Sequence, residues 1–275
     1  MRTFSLIDKD GASYDMTVKG KAFFYGISGL GYEKETAFLR IKERFTLADK
    51  KLSQQKIVGT VKFWQNGAED EYFKFAQFCQ NSPLKLKYRE MYSRNGYVTK
   101  IERGDGDGKS LEAVIEFTAE TPWYKTVTEY NYGSYVGGGK KYNYQYNYEY
   151  SDNASNEVSL QSDSWQSSPA KIIIVGPVTN PIWRHYHNGK LIATGKLNGS
   201  VLSGHRLIID TTTIPYSITE VNENGELVAD LYQSCDFSTE RFIRIEHGNN
   251  TITVSATDAT VIGLGVEAQL EYATV

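Results

Sequence analysis

Apolar and polar positions alternate along much of the chain, with a period near two in most segments and near 3.6 in one. The run Lys56-Ile57-Val58-Gly59-Thr60-Val61-Lys62-Phe63-Trp64 has the β-branched and aromatic density of a half-buried strand, and Asn66-Gly67 ends it as a turn. From Ala68 to Gln80 the period changes. Tyr72, Phe75, Ala76 and Cys79 fall at i, i+3, i+4 and i+7, and Glu69, Asp70 and Glu71 occupy the first turn, where the helix dipole favours acids. The spacing predicts a helix over 68–80. Beyond Pro83, Leu84, Leu86 and Tyr88 alternate with Lys85, Lys87 and Arg89, the pattern of a strand with one wet face. Its partner is expected to return after Arg94-Asn95-Gly96, giving a long hairpin. AVIEF (113–117) predicts another strand after the glycine-rich loop Gly104–Gly108. The opening residues read as short strands broken by Gly20, Gly26 and Gly29, and 33–43 as a charged stretch.

The second half is patterned differently. Tyr142, Tyr144, Tyr146, Tyr148 and Tyr150 take every second position, so a strand there carries five tyrosines on one face and Asn, Gln and Glu on the other. Such a face serves as the inner wall of a sandwich, or it stacks on sugar rings. From Ala170 onward, turn signals at Gly176-Pro177, Asn188-Gly189, Asn198-Gly199, Asn224-Gly225 and Gly248-Asn249-Asn250 separate the runs KIIIV, KLIAT, RLIID, RFIRI and TITVS. About ten short antiparallel strands without a bridging helix give a jelly-roll or galectin-like β-sandwich. The predicted class is mainly β: an N-terminal β domain with one helix and a long hairpin over residues 1–130, then the sandwich over 131–275.

A length of 275 residues can bury two such cores, and 20 Tyr and 24 Gly against 3 Met suit strands and turns. Net charge divides at the same place. Residues 1–130 hold 21 Lys+Arg and 18 Asp+Glu, whereas 131–275 hold 9 and 15. Neither half has the dense basic face of a nucleic-acid binder, because its cations alternate with acids. Cys79 and Cys235 are too far apart in sequence to define a disulfide framework or metal site, and no apolar run predicts a secretion signal or membrane span.

Candidate chemistry is sparse. His185 and His187 share a strand face with Trp183, but two imidazoles need a third ligand, and neither His205 nor His247 is placed by spacing to supply it. Asp105-Gly106-Asp107-Gly108 begins like a calcium loop, yet position 103 is Arg and position 114 is Val where that motif requires acids, so a hairpin tip is expected. No GxSxG elbow is present, Cys79 falls on the apolar helix stripe, and Gly26, Gly29 and Gly31 are not spaced as a dinucleotide fingerprint. No enzyme, cofactor or metal site is expected.

Several pieces occur in the order found in one family. IVGTVKFW, EDEYFKFAQFCQNS, PLKLKYRE, GYVTKIERG and LEAVIEFTAETPWYK resemble the N-terminal domain of the distal tail proteins of long-tailed bacteriophages. KIIIVGPVTNPIW, GSVLSGHRLIID and RFIRIEHGNNTITVSA resemble their galectin-like C-terminal domain. The resemblance implies a structural virion protein, made and assembled in the host cytoplasm. It also implies a homo-hexameric ring at the tail tip, joining the tail tube protein to the tip lysin or the receptor-binding and baseplate proteins, with a channel through which DNA only passes. The oligomer interface is expected on the N-terminal domain, at Leu84, Leu86 and Tyr88, because an unpaired strand edge or apolar face must be covered. A second function class is open to the same sequence: a carbohydrate-binding protein recognising cell-wall saccharide through the C-terminal sandwich.

Overall fold

In a computed structural model describing residues 3–64, 67–107, 109–132, 155–257 and 262–275, the chain divides into two units, 1–125 with 272–275 and 126–271. The tyrosine-alternating segment 142–150 lies outside the described residues.

The first unit begins with β1 (Phe4–Ile7), β2 (Ser13–Asp15), β3 (Ala22–Ser28), β4 (Lys34–Ile41), β5 (Arg44–Leu52) and β6 (Lys56–Trp64). Helix α1 (Ala68–Gln80), β7 (Leu84–Tyr88), β8 (Tyr92–Gly106), β9 (Ser110–Ala119) and the start of β10 (Trp123–Asn131) complete it. All pairings are antiparallel. The first part of β8 pairs with β7, which pairs with β1 and through it reaches β2; the rest of β8 pairs with β9, and β9 leads to β6 and β3. Period-two alternation turns Ile57, Gly59, Val61 and Phe63 of β6 inward. They meet Phe4, Leu6, Phe24, Leu84, Leu86, Phe117 and Trp123 in one core. The helix closes this core with Ala68, Phe75 and Cys79. Phe75 packs against Phe63 and Tyr14, and the Tyr14 hydroxyl donates to Glu71 at 3.0 Å. Burying each large side chain of this kind contributes about 1.5–3 kcal/mol.

Two features differ from the sequence reading. The partner of β7 starts at Tyr92, before Arg94-Asn95-Gly96, and the pairing runs from Tyr88↔Tyr92 to Leu84↔Gly96. Arg89 and Glu90 make the turn with φ of 52° and 61°, values that non-glycine residues seldom adopt. Gly96 instead permits a close approach, since a Cβ there would stand 2.2 Å from the Thr118 carbonyl oxygen. The charged stretch 33–43 and the residues after it form a second hairpin, β4–β5, whose strands pair only with each other.

The second unit holds β11 (Ser155–Ser162), β12 (Ser168–Val175), β13 (Val178–His187), β14 (Lys190–Lys196), β15 (Ser200–Val201), β16 (Arg206–Asp210), β17 (Ser217–Val221), β18 (Leu227–Asp230), β19 (Arg244–Ile245), β20 (Gly248–Thr257) and β21 (Gly263–Tyr272). One sheet runs β18-β17-β16-β12-β21-β10, and the other β11-β20-β13-β14 with β15 on β13. This is a β-sandwich. Ile172, Ile174, Leu207, Ile209 and Val266 from the first sheet, with Trp183, Ile252 and Val254 from the second, are all buried. Asn188 and Gly189 take positive φ and turn β13 into β14, as the Asn-Gly signal predicts. Gly195 lies opposite Trp183, where a Cβ would stand 2.2 Å from the indole.

Candidate oligomerisation surface

The residues expected at an interface occupy the interior of the first unit. Leu84, Leu86 and Tyr88 are 1–3% exposed, and both edges of β7 are hydrogen-bonded, to β1 and to β8. They present neither an edge nor a face to another molecule. The alternation that suggested a sticky strand is the alternation of a core strand: Lys85 and Lys87 face outward, and the three apolar side chains join Phe4, Leu6 and Trp123 inside.

The surface that needs covering is β4–β5. Every residue of β5, and all but Lys34 of β4, is exposed. Phe38, Leu39, Ile41 and Phe45 are 57–69% exposed, and Leu47 and Leu52 are also open. The register sets Phe38 opposite Leu47 and Arg40 opposite Phe45, which puts Phe38, Leu47 and Phe45 on one face; Leu39 and Ile41 project from the other. Apolar side chains therefore emerge from both faces of a two-stranded ribbon. An isolated ribbon is marginally stable in water at best, and a wet hairpin ordinarily keeps one polar face. Six basic and three acidic residues between Lys34 and Lys51 add a positive margin. Sequence reading missed this hairpin because Lys42, with φ of 55°, makes its turn without Gly or Asn, and because Lys and Arg interrupt the apolar positions.

The remaining candidates have ordinary partners. His185 Nε2 lies 2.9 Å from Asn250 Oδ1, His187 Nε2 is 2.8 Å from the His247 carbonyl oxygen, and His205 Nδ1 is 2.6 Å from Glu220 Oε1. Among the described residues no three His, Cys, Asp or Glu side chains converge as a metal site. Asp107 caps the β8–β9 hairpin tip, its carboxylate accepting from the backbone N–H of Lys109 and Ser110. Burial pushes the Cys79 thiol up to about 12, far from the thiolate a nucleophile requires. No helix among the described residues is long and apolar enough to cross a membrane.

Residues 3–120, nearly all of the first unit, match the distal tail protein N-terminal domain. That stretch carries the N-terminal domain of the distal tail protein family. Two solved structures share the fold along the whole chain. One is the phage P2 baseplate in its activated conformation with Ca, 15% identical with a TM-score of 0.66 and covering 100% of both chains. The other is the Dit protein of phage SPP1, a hub of the adsorption apparatus in phages infecting Gram-positive hosts, 10% identical with a TM-score of 0.62 and covering 96% of this chain and 98% of that one. No curated protein matches the sequence. At such identities the two structures establish the fold alone, which extends the distal tail protein architecture of a β domain followed by a β-sandwich across both units.

Proposed function

We propose that this protein is a structural hub at the distal end of a phage tail, where the first unit closes six copies into a ring around a channel for DNA. The family match over residues 3–120 carries this reading. The β4–β5 hairpin supplies its physical counterpart: an apolar ribbon that its own unit leaves uncovered suits the surface of an identical neighbour, and a head-to-tail contact repeated round a ring leaves no free end. In this role the ring joins the tail tube protein on one side to tip or baseplate proteins on the other. It does so as a virion component that catalyses no reaction.

The test is the mass of the full chain in solution by size-exclusion chromatography with light scattering. Six copies are expected, and Phe38→Ser with Phe45→Ser is expected to give folded monomers. A monomeric wild-type chain at tens of micromolar, or a doubly substituted chain of unchanged mass, would overturn the reading.

A further inference from the structure

The second unit contains a crevice of about 480 Å³, within the range of about 300–1,000 Å³ typical of small-molecule sites. Its wall includes His185 of β13, Tyr216, Phe242, Arg244 and the acids Glu240 and Glu246.

His185 is 1% exposed, and of its two ring nitrogens only Nε2 has a hydrogen-bond partner. The Asn250 amide fixes its tautomer. Asn250 Nδ2 donates to the carbonyls of Glu246 at 2.8 Å and Gly248 at 2.9 Å, and Asn250 Oδ1 accepts from the Glu246 N–H at 3.0 Å. That oxygen can only accept, so His185 Nε2, 2.9 Å away, carries the hydrogen and donates. Nδ1 is left as a buried acceptor with no hydrogen-bond partner. A buried polar atom left unpaired is costly, and an incoming O–H group would recover that cost through one bridging water.

The rest of the wall narrows the chemistry. Tyr216 and Phe242 stand edge to face at 5.1 Å, and both are partly open to solvent. Arg244 is held in place by donating to the Tyr216 hydroxyl at 3.1 Å and the Ser167 carbonyl at 2.7 Å. One guanidinium against two carboxylates makes the wall mildly negative, which disfavours phosphate and other anions. An unpaired acceptor for a hydroxyl, an aromatic corner for flat C–H surface, and polar groups around the rim together match a sugar ring.

We propose that this crevice binds a neutral pyranose, with one hydroxyl linked through a bridging water to His185 Nδ1 and the C–H face of the ring against Phe242 and Tyr216. The site lies wholly in the second unit and stands independently of ring formation, so either reading can fail without the other. If the protein sits at a tail tip, the saccharide available to it is that of the host surface.

Saturation-transfer NMR on the full chain, with glucose, galactose, N-acetylglucosamine and glycerol 3-phosphate as separate probes, tests this. Transfer to at least one neutral sugar is expected, and none to glycerol 3-phosphate. Affinity for that sugar should fall about tenfold or more in His185→Phe, the loss of one hydrogen bond to a buried acceptor. Phe242→Ala should lower it as well, and because Phe242 is partly exposed this variant decides the matter if His185→Phe does not fold. Silence from all three sugars overturns the proposal. So does wild-type affinity in a variant with native circular dichroism, or binding of glycerol 3-phosphate as strong as that of any sugar.

Discussion

The first unit contains two hairpins of opposite character. In β7–β8 the apolar side chains of β7, Leu84, Leu86 and Tyr88, turn to one side and vanish into the core, leaving Lys85 and Lys87 outside. In β4–β5 apolar side chains leave both faces and stay largely exposed. The first hairpin contributes to the core of its unit, whereas the second leaves its apolar area open, which the proposed ring would cover with a neighbouring copy. Hydrophobic sequence alone does not distinguish the two roles, because burial within the chain and burial between chains draw on the same side chains.

Substitutions should separate the hairpins by magnitude. Leu86→Ala removes a side chain from the closed core and is expected to lower stability by about 2–5 kcal/mol in urea unfolding, whatever the oligomeric state. A loss below about 1 kcal/mol would mean that β7 is not the core strand described. Gly96→Ala places a Cβ 2.2 Å from the backbone oxygen of Thr118, and the resulting shift of β8 against β9 should cost about 1–3 kcal/mol by the same measurement.

The core side of the comparison also predicts a pH dependence. Burial raises the Cys79 thiol from 9.0 to about 12, so on the alkaline side the unfolded chain loses this proton before the folded chain does. The folded state then binds more protons, and stability must fall as pH rises above about 9. The urea midpoint of the wild type should therefore decline more steeply between pH 8 and 10 than that of Cys79→Ala. Equal slopes would show that the thiol already meets water. Smallest of all should be the effect of Phe38→Ser with Phe45→Ser on the dissociated chain, within about 0.5 kcal/mol, because neither side chain has a core to leave. A large destabilisation would place the hairpin in the fold and remove the contrast.

Much of this protein was legible from local pattern. The 3.6-residue spacing of Tyr72, Phe75 and Cys79 marked α1 because a helix must bury one stripe, and the Asn188-Gly189 turn marked β13–β14 because positive φ favours those residues. The ordered motifs also identified the family that residues 3–120 match. Three things needed the tertiary structure. Arg89 and Glu90 turn with positive φ that their side chains do not advertise, so the start of β8 was misplaced. Leu84, Leu86 and Tyr88 show an alternation that core and interface strands share, and only the strands on either side of β7 decide between them. The crevice at His185 joins β13 to residues 31 to 61 positions further along, and its unpaired nitrogen follows from Asn250 on another strand; spacing along a chain carries no record of such a meeting, because the fold creates it.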